Sequence, residues 1–248
     1  MVLNDFLPTL IGEELTAALL SDGPRLYEAG DAPQIPLEFA DAAYRYGHSQ
    51  IRDRYQVNES SEPVPLLPDL MGFDPVPPER AVQWSLLFDV PGDPPAQRAK
   101  RIDGRLPESL IKLPVAITGA VEEDAFHSLA ARDLERGQAT ALPSGEAVAA
   151  TLGVEPLTAD EVGLAQYGWS QETPLCFYVL READLQQNGD RLGAVGARIV
   201  GDVLVGIIDA DPDSYRAVDR SWRPTLPGAV PRRYGIADLI RAPALATS

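Results

Sequence analysis

The longest apolar run of the chain, residues 194–210, most constrains what it can fold into. Arg198 and Asp202 interrupt the run, and it is too short and too charged to span a membrane, so it predicts a helix buried in a protein core. Glycines at 193, 196, 201 and 206 would let neighbouring helices approach it closely. A phosphate-cradling loop is the rival reading of a glycine-rich segment. No strand signal precedes this one and no Lys-Ser or Lys-Thr pair follows it, so that reading fails.

The remainder reads as mostly helical, with connections punctuated by proline. Residues 5–21 and 37–53 predict helices, the second opened by Pro36, whose missing N–H costs nothing in a first turn. Prolines 63, 65, 68, 75, 77 and 78 predict a loop without regular structure over about 59–79. Residues 80–90 fit a helix or a short strand, with Trp84, Leu86, Leu87 and Phe88 buried in either case, and residues 93–99 form another connector. Residues 124–136 predict a further helix. Ser144 caps a short helix that Gly153 stops. Thr158-Ala-Asp-Glu161 spells a capping box. Thr173 reads as the cap of a helix with Pro174 in its first position, running to about residue 187. Strand signals are sparse and no internal repeat appears, so the fold class is mainly α, a single domain over residues 1–248.

At 248 residues and 45% hydrophobic content the chain can bury one large core. Its net charge of −16 argues against nucleic-acid or anionic membrane partners, which attract basic surfaces. The single cysteine, Cys176, rules out internal disulfides and cysteine-rich zinc sites, and is expected to be a buried, inert thiol. No basic n-region or apolar h-region marks a secretory signal, which leaves the cytoplasm as the default and secretion open should further residues precede Met1. With 37 acidic residues some carboxylate pair will always look suggestive, but no spacing singles out two for glycosidase-type chemistry.

Imidazole chemistry can run only through His48 or His127. If residues 37–53 are helical, Arg45 lies one turn before His48 on the same face. A metal-bound imidazole and a guanidinium able to clamp a carboxylate would then share one pocket. Haem offers that combination, an iron for the histidine and propionates for the arginine. The plainer reading of the motif taken alone is a hydrogen-bonded structural histidine. Tyr44 and Tyr46 are candidates for a radical, although tyrosines beside a core are more often packing residues.

Longer blocks favour the haem reading. Tyr44-Arg-Tyr-Gly-His48 is followed by Ser128-Leu-Ala-Ala-Arg-Asp133-Leu-Glu-Arg136-Gly-Gln-Ala-Thr-Ala-Leu-Pro143-Ser-Gly145. Further blocks are Val2-Leu-Asn-Asp-Phe-Leu-Pro8, Thr173-Pro-Leu-Cys-Phe-Tyr178-Val-Leu-Arg-Glu182, Leu192-Gly-Ala-Val-Gly196-Ala-Arg-Ile-Val200, Asp211-Pro-Asp-Ser-Tyr215, Trp222-Arg-Pro-Thr-Leu-Pro227 and Ile236-Ala-Asp-Leu-Ile240-Arg241. Each is weak alone, but in this order the series resembles the animal-type haem peroxidase superfamily, in its bacterial branch, over nearly the whole chain.

That resemblance implies a helical fold, a haem b cofactor and four site residues. His48 matches the proximal iron ligand, and Arg45 matches the arginine three before it that pairs with a haem propionate. Asp133 stands where the family usually has an asparagine accepting a hydrogen bond from the ligand imidazole. Arg136 matches another arginine near the propionates. A carboxylate in place of the amide would make the imidazole more imidazolate-like and lower the reduction potential of the iron. The alternative is that Asp133 pairs with Arg132 or Arg136 at the surface and never touches His48. Fatty-acid oxygenases of the superfamily carry a radical-forming tyrosine where Arg45 stands, so the resemblance favours peroxidase chemistry.

In the family the distal side comes from residues upstream: a distal histidine, a calcium-binding loop and a catalytic arginine. Met1-Val-Leu-Asn-Asp-Phe-Leu-Pro8 matches a point beyond all of these, so this chain is expected to be the proximal, C-terminal half. It would then lack the family's calcium site and have no identifiable catalytic residues of its own. His127 is expected to be a surface or packing residue. The implied activity is oxidation of an unknown donor by hydrogen peroxide, linked to oxidative stress. It would need distal residues from a longer product, a separate polypeptide or a homo-oligomer. The alternatives are a haem-binding or sensing protein without catalysis, and a truncated interaction module in which His48 is only structural.

Overall fold

Helix formation along this chain is set by where glycine, proline and capping hydroxyls fall. The computed structural model describes residues 1–30, 33–72, 75–226 and 234–245. Pro227, which ends one of the resemblance blocks, lies outside them, as do residues 73 and 74 of the proline-rich stretch. The helices are α1 (Leu7–Ile11), α2 (Glu13–Asp22), α3 (Leu37–Ala40), α4 (Glu108–Ile111), α5 (Val115–Thr118), α6 (Leu129–Ala139), α7 (Gly145–Leu152), α8 (Ala159–Val162), α9 (Leu175–Gln187), α10 (Ala194–Ala210), α11 (Tyr215–Val218) and α12 (Ile236–Leu245). A π-turn, Val2–Phe6, precedes α1, and short 3₁₀ turns occupy several connections. The fold is mainly α, as the sequence predicts.

Helix α10 covers the predicted run of 194–210 and is the axis of the core. Ten of its residues are buried, and it packs against α1, α2, α3, α7, α9 and the 3₁₀ turn Ala43–His48. Its glycines make that crowding possible. A methyl group added at Gly196 would meet Val179, one at Gly201 would meet Leu19 and Ile11, and one at Gly206 would stand 2.2 Å from the Tyr27 ring. Two buried carboxylates tie α10 to its neighbours. Asp202 accepts hydrogen bonds from the backbone N–H groups of Arg25 and Leu26, at 3.0 and 2.8 Å. Glu182, on α9, accepts from the N–H groups of Val195 and Gly196 at the start of α10. It thereby satisfies donors that a helix N-terminus leaves free.

Several expected boundaries hold and several break. Ser144 caps α7 by accepting from Ala147, and Gly153 ends it in the left-handed conformation. The Thr158–Glu161 capping box is formed in both directions. The helix expected over 5–21 is interrupted at Gly12, whose φ of +89° is a backbone state natural to glycine. Likewise, the helix expected over 124–136 stops at Ser128, which caps α6 by accepting from Ala131. Thr173 does not cap α9. Its hydroxyl and N–H both bond to Glu146 instead, joining the start of α9 to α7. The proline-rich stretch contains one strand, β2 (Val64–Pro65), paired antiparallel with β1 (Arg54–Tyr55), so it is not wholly irregular. Trp84 is not buried. It stands 54% exposed as the first residue of a 3₁₀ turn, and Leu86, Leu87 and Phe88 are only half-buried.

Two predictions follow from α10. Gly206→Ala would gain about 1 kcal/mol of helix propensity but overlap Tyr27, an overpacking that costs roughly 1–3 kcal/mol. A net fall in the urea midpoint is therefore expected. Burial pushes the Glu182 carboxyl up to about 7, against the lowering effect of the N–H groups of Val195 and Gly196. The folded chain thus holds that proton to higher pH than the unfolded chain does. The resulting stabilisation is complete below the unfolded value of about 4.3 and disappears as pH rises through about 7. Relative to Glu182→Gln, the native protein should lose roughly 2–4 kcal/mol of unfolding free energy between about pH 4 and pH 8.

Candidate functional site

Ala43-Tyr-Arg-Tyr-Gly-His48 combines two aromatic residues and a glycine, all poorer α-helix formers than alanine or leucine. The helix expected over 37–53 is therefore not continuous. It runs as α3, breaks at Asp41 and Ala42, and resumes as the 3₁₀ turn Ala43–His48. At three residues per turn, side chains at i and i+3 eclipse one another. Arg45 and His48 are accordingly stacked on one face, more closely aligned than an α-helix would hold them.

Both side chains reach the same carboxylate. Asp133, buried on α6, has one oxygen 2.7 Å from His48 Nδ1, while its other oxygen accepts from Arg45 Nη1 at 2.6 Å. The Arg45 guanidinium also donates from Nη2 to Asp41 at 2.9 Å and from Nε to the Ala40 carbonyl at 3.1 Å. Burial lowers the guanidinium's proton affinity, but the bonds to Asp133 and Asp41 outweigh it and hold Arg45 firmly charged. The surface alternative for Asp133 is thus excluded: its partners are His48 and Arg45, not Arg132 or Arg136.

A neutral imidazole that donates from Nδ1 to the Asp133 carboxylate has its lone pair on Nε2. Nε2 has no hydrogen-bond partner among the described residues, and the side chain is 33% exposed. His48, Arg45 and Asp133 border a cavity of about 70 Å³ whose apolar lining includes Ala42, Leu106, Leu134 and Phe177. Such a space is too small for a large planar group. Among the described residues no cluster of three or more His, Cys, Asp or Glu side chains could hold a metal ion by itself. A single imidazole suits a metal whose other ligands come from a macrocycle.

The other sequence candidates behave differently. Arg136 is exposed, and its guanidinium bonds to no described residue, so it does not join the Asp133 cluster. Tyr46 is buried, whereas Tyr44 is 43% exposed and stacks on Phe39 with ring centroids 4.5 Å apart. Cys176 is half-buried and borders the cavity; burial pushes its thiol up to about 11, which leaves it protonated and unreactive. Both ring nitrogens of His127 are occupied, Nδ1 by the Thr118 hydroxyl at 2.7 Å and Nε2 by the Val121 carbonyl at 2.8 Å. Asp41, which completes the cluster, was not singled out from the sequence. Its spacing of four residues before Arg45 is the signal that could have found it.

The animal haem peroxidase family model matches residues 1–158, a span that contains His48, Arg45, Asp133 and Arg136. The resemblance blocks from Thr173 onward fall outside that match. No curated protein matches the chain.

Removing the shared acceptor should be costly even without any cofactor. Asp133→Ala leaves Arg45 and His48 donors without their partner in a largely buried place, and is expected to lower unfolding free energy by about 1–3 kcal/mol. Urea unfolding of the cofactor-free protein measures this.

Proposed function

Since this chain belongs to the animal haem peroxidase family, we propose that it is a haem-dependent, peroxidase-like oxidoreductase with His48 as the iron ligand. The observation that carries the reading is the state of His48, with Nδ1 held by a buried carboxylate and Nε2 left open. A histidine so arranged is oriented as a ligand before any metal arrives. Haem b, when bound, would supply the redox chemistry by which hydrogen peroxide oxidises a donor.

The roles of the chain's own residues follow from their chemistry. His48 Nε2 binds, and Asp133 fixes the ring and keeps the proton on Nδ1. Arg45 commits three of its five N–H donors within the protein, which leaves two for a propionate. Arg136, exposed and without a described partner, is the second proposed propionate contact. On this reading residues 1–248 act as one domain.

Reduction of peroxide also needs a base to move a proton between the two peroxide oxygens and a cation to stabilise the charge that develops. Neither described histidine can serve: His48 is the ligand, and His127 has both nitrogens bonded. As the family resemblance implies, we assign these groups to a distal part, in a longer polypeptide, a separate chain or a second copy. The same observation favours a second reading, haem binding or sensing without catalysis. Among the described residues no helix is long and apolar enough to cross a membrane.

The deciding experiment is a titration of the protein with haemin beside His48→Ala, followed by visible absorption. A sharp Soret band that saturates at about one haem per chain and is lost in the variant is expected. A broad, non-saturating band identical in both proteins would overturn haem ligation. Peroxidase turnover that appears only with distal residues supplied would separate the first reading from the second.

A further inference from the structure

The geometry points to Arg45 as a positioning residue for His48, acting through Asp133, and we propose that it tempers how strongly that carboxylate pulls on the imidazole. This deepens the reading of His48 as a ligand and rests on it. Asp133 divides its two oxygens, one to His48 Nδ1 at 2.7 Å and one to Arg45 Nη1 at 2.6 Å. Arg45 cannot swing away to follow the carboxylate. Its Nη2 is anchored to Asp41 at 2.9 Å and its Nε to the Ala40 carbonyl at 3.1 Å, so three separate directions fix the guanidinium plane.

Two effects follow. The first is orientation. A carboxylate gripped at one oxygen by a fixed cation cannot turn about its own axis, so the other oxygen stays aimed at Nδ1 and Nε2 stays outward. The second is electronic. A carboxylate that already accepts a short charge-assisted bond has less electron density to share with a second donor. Unopposed, Asp133 would draw the Nδ1 proton strongly and make the ring a stronger donor at Nε2. Arg45 offsets part of that pull. The side chains of Arg45 and Asp133 are only 26% and 10% exposed, so solvent screens the interaction weakly.

A salt bridge that merely holds α6 to the 3₁₀ turn would not alter the electronic state of His48, and that difference is measurable. In the haemin-loaded, reduced protein, the iron–histidine stretching frequency by resonance Raman should rise in Arg45→Gln and fall in Asp133→Asn. In the Asp133→Asn background, Arg45→Gln should have no further effect, because its route to His48 has been removed. Asp41→Asn, which loosens the far anchor of Arg45, should shift the frequency in the Arg45→Gln direction by a smaller amount.

The haem-free protein gives an independent reading. At one fixed pH, the His48 Nδ1 nitrogen-15 resonance should move in Arg45→Gln and stay put when the same change is made on Asp133→Asn. A frequency and a resonance unmoved by Arg45→Gln would overturn the proposal. So would an Arg45→Gln shift that persists in full without the Asp133 carboxylate. Failure of the haem reading shows separately, as a Soret band that does not depend on His48. Should Arg45→Gln fail to fold by circular dichroism, Asp41→Asn carries the test, and its failure to move either signal is equally fatal.

Discussion

Helix α10 has to be buried around most of its circumference, and the rest of the molecule is arranged to do so. Its small residues let α1, α2, α7 and α9 close in, with Leu19, Tyr27 and Val179 resting where side chains would otherwise stand. Helix α9 is held from behind by α10 and presents its other faces to α6 and to the 3₁₀ turn Ala43–His48. That stacking order is what brings Asp133 and His48 together, although 85 residues separate them in sequence. The site is thus an indirect product of core packing, and the polar contacts decide only its final ångström.

Those polar contacts form a row in which Asp41, Arg45 and Asp133 alternate in sign and His48 stands at the end. Burying any one of these charges alone would be costly, since desolvation in a low-dielectric interior is repaid only by close, well-aligned partners. Here each member has one, and the guanidinium sits between two carboxylates. Such a row resists reorganisation as a unit, because moving one member strips a partner from the next. His48, at the end of the row, inherits that rigidity without contributing to it.

The parts of this structure that could be read in the sequence were those with local causes. The apolar run 194–210 became α10, and the caps at Ser144 and Thr158 formed as their hydroxyl and carboxylate spacings require. What misled were residues whose partners lie elsewhere in the fold. Thr173 has the look of a cap, yet Glu146 on another helix captures both its N–H and its hydroxyl. Trp84 is the kind of residue a core takes up, but it opens a short 3₁₀ turn with no buried residue, and its ring meets only the half-buried Phe88 among the described aromatic rings. At the site, the resemblance named Asp133 and His48, and no local pattern could show that Arg45 takes the second oxygen. Gly47 and the two tyrosines around Arg45 did carry a signal against a continuous helix there. The change to three residues per turn aligned the pair better than the expected helix would have.

The hydrogen bonds of His127 have a consequence of their own. Its Nε2 faces a backbone carbonyl and its Nδ1 a hydroxyl, so no lone pair on that ring is available without breaking a contact. The chain carries two histidines, and only one offers a bare nitrogen to whatever arrives from solution. An electrophile that modifies free imidazole, or a soft metal ion seeking a single nitrogen donor, finds one histidine address on the described surface, and that address is His48.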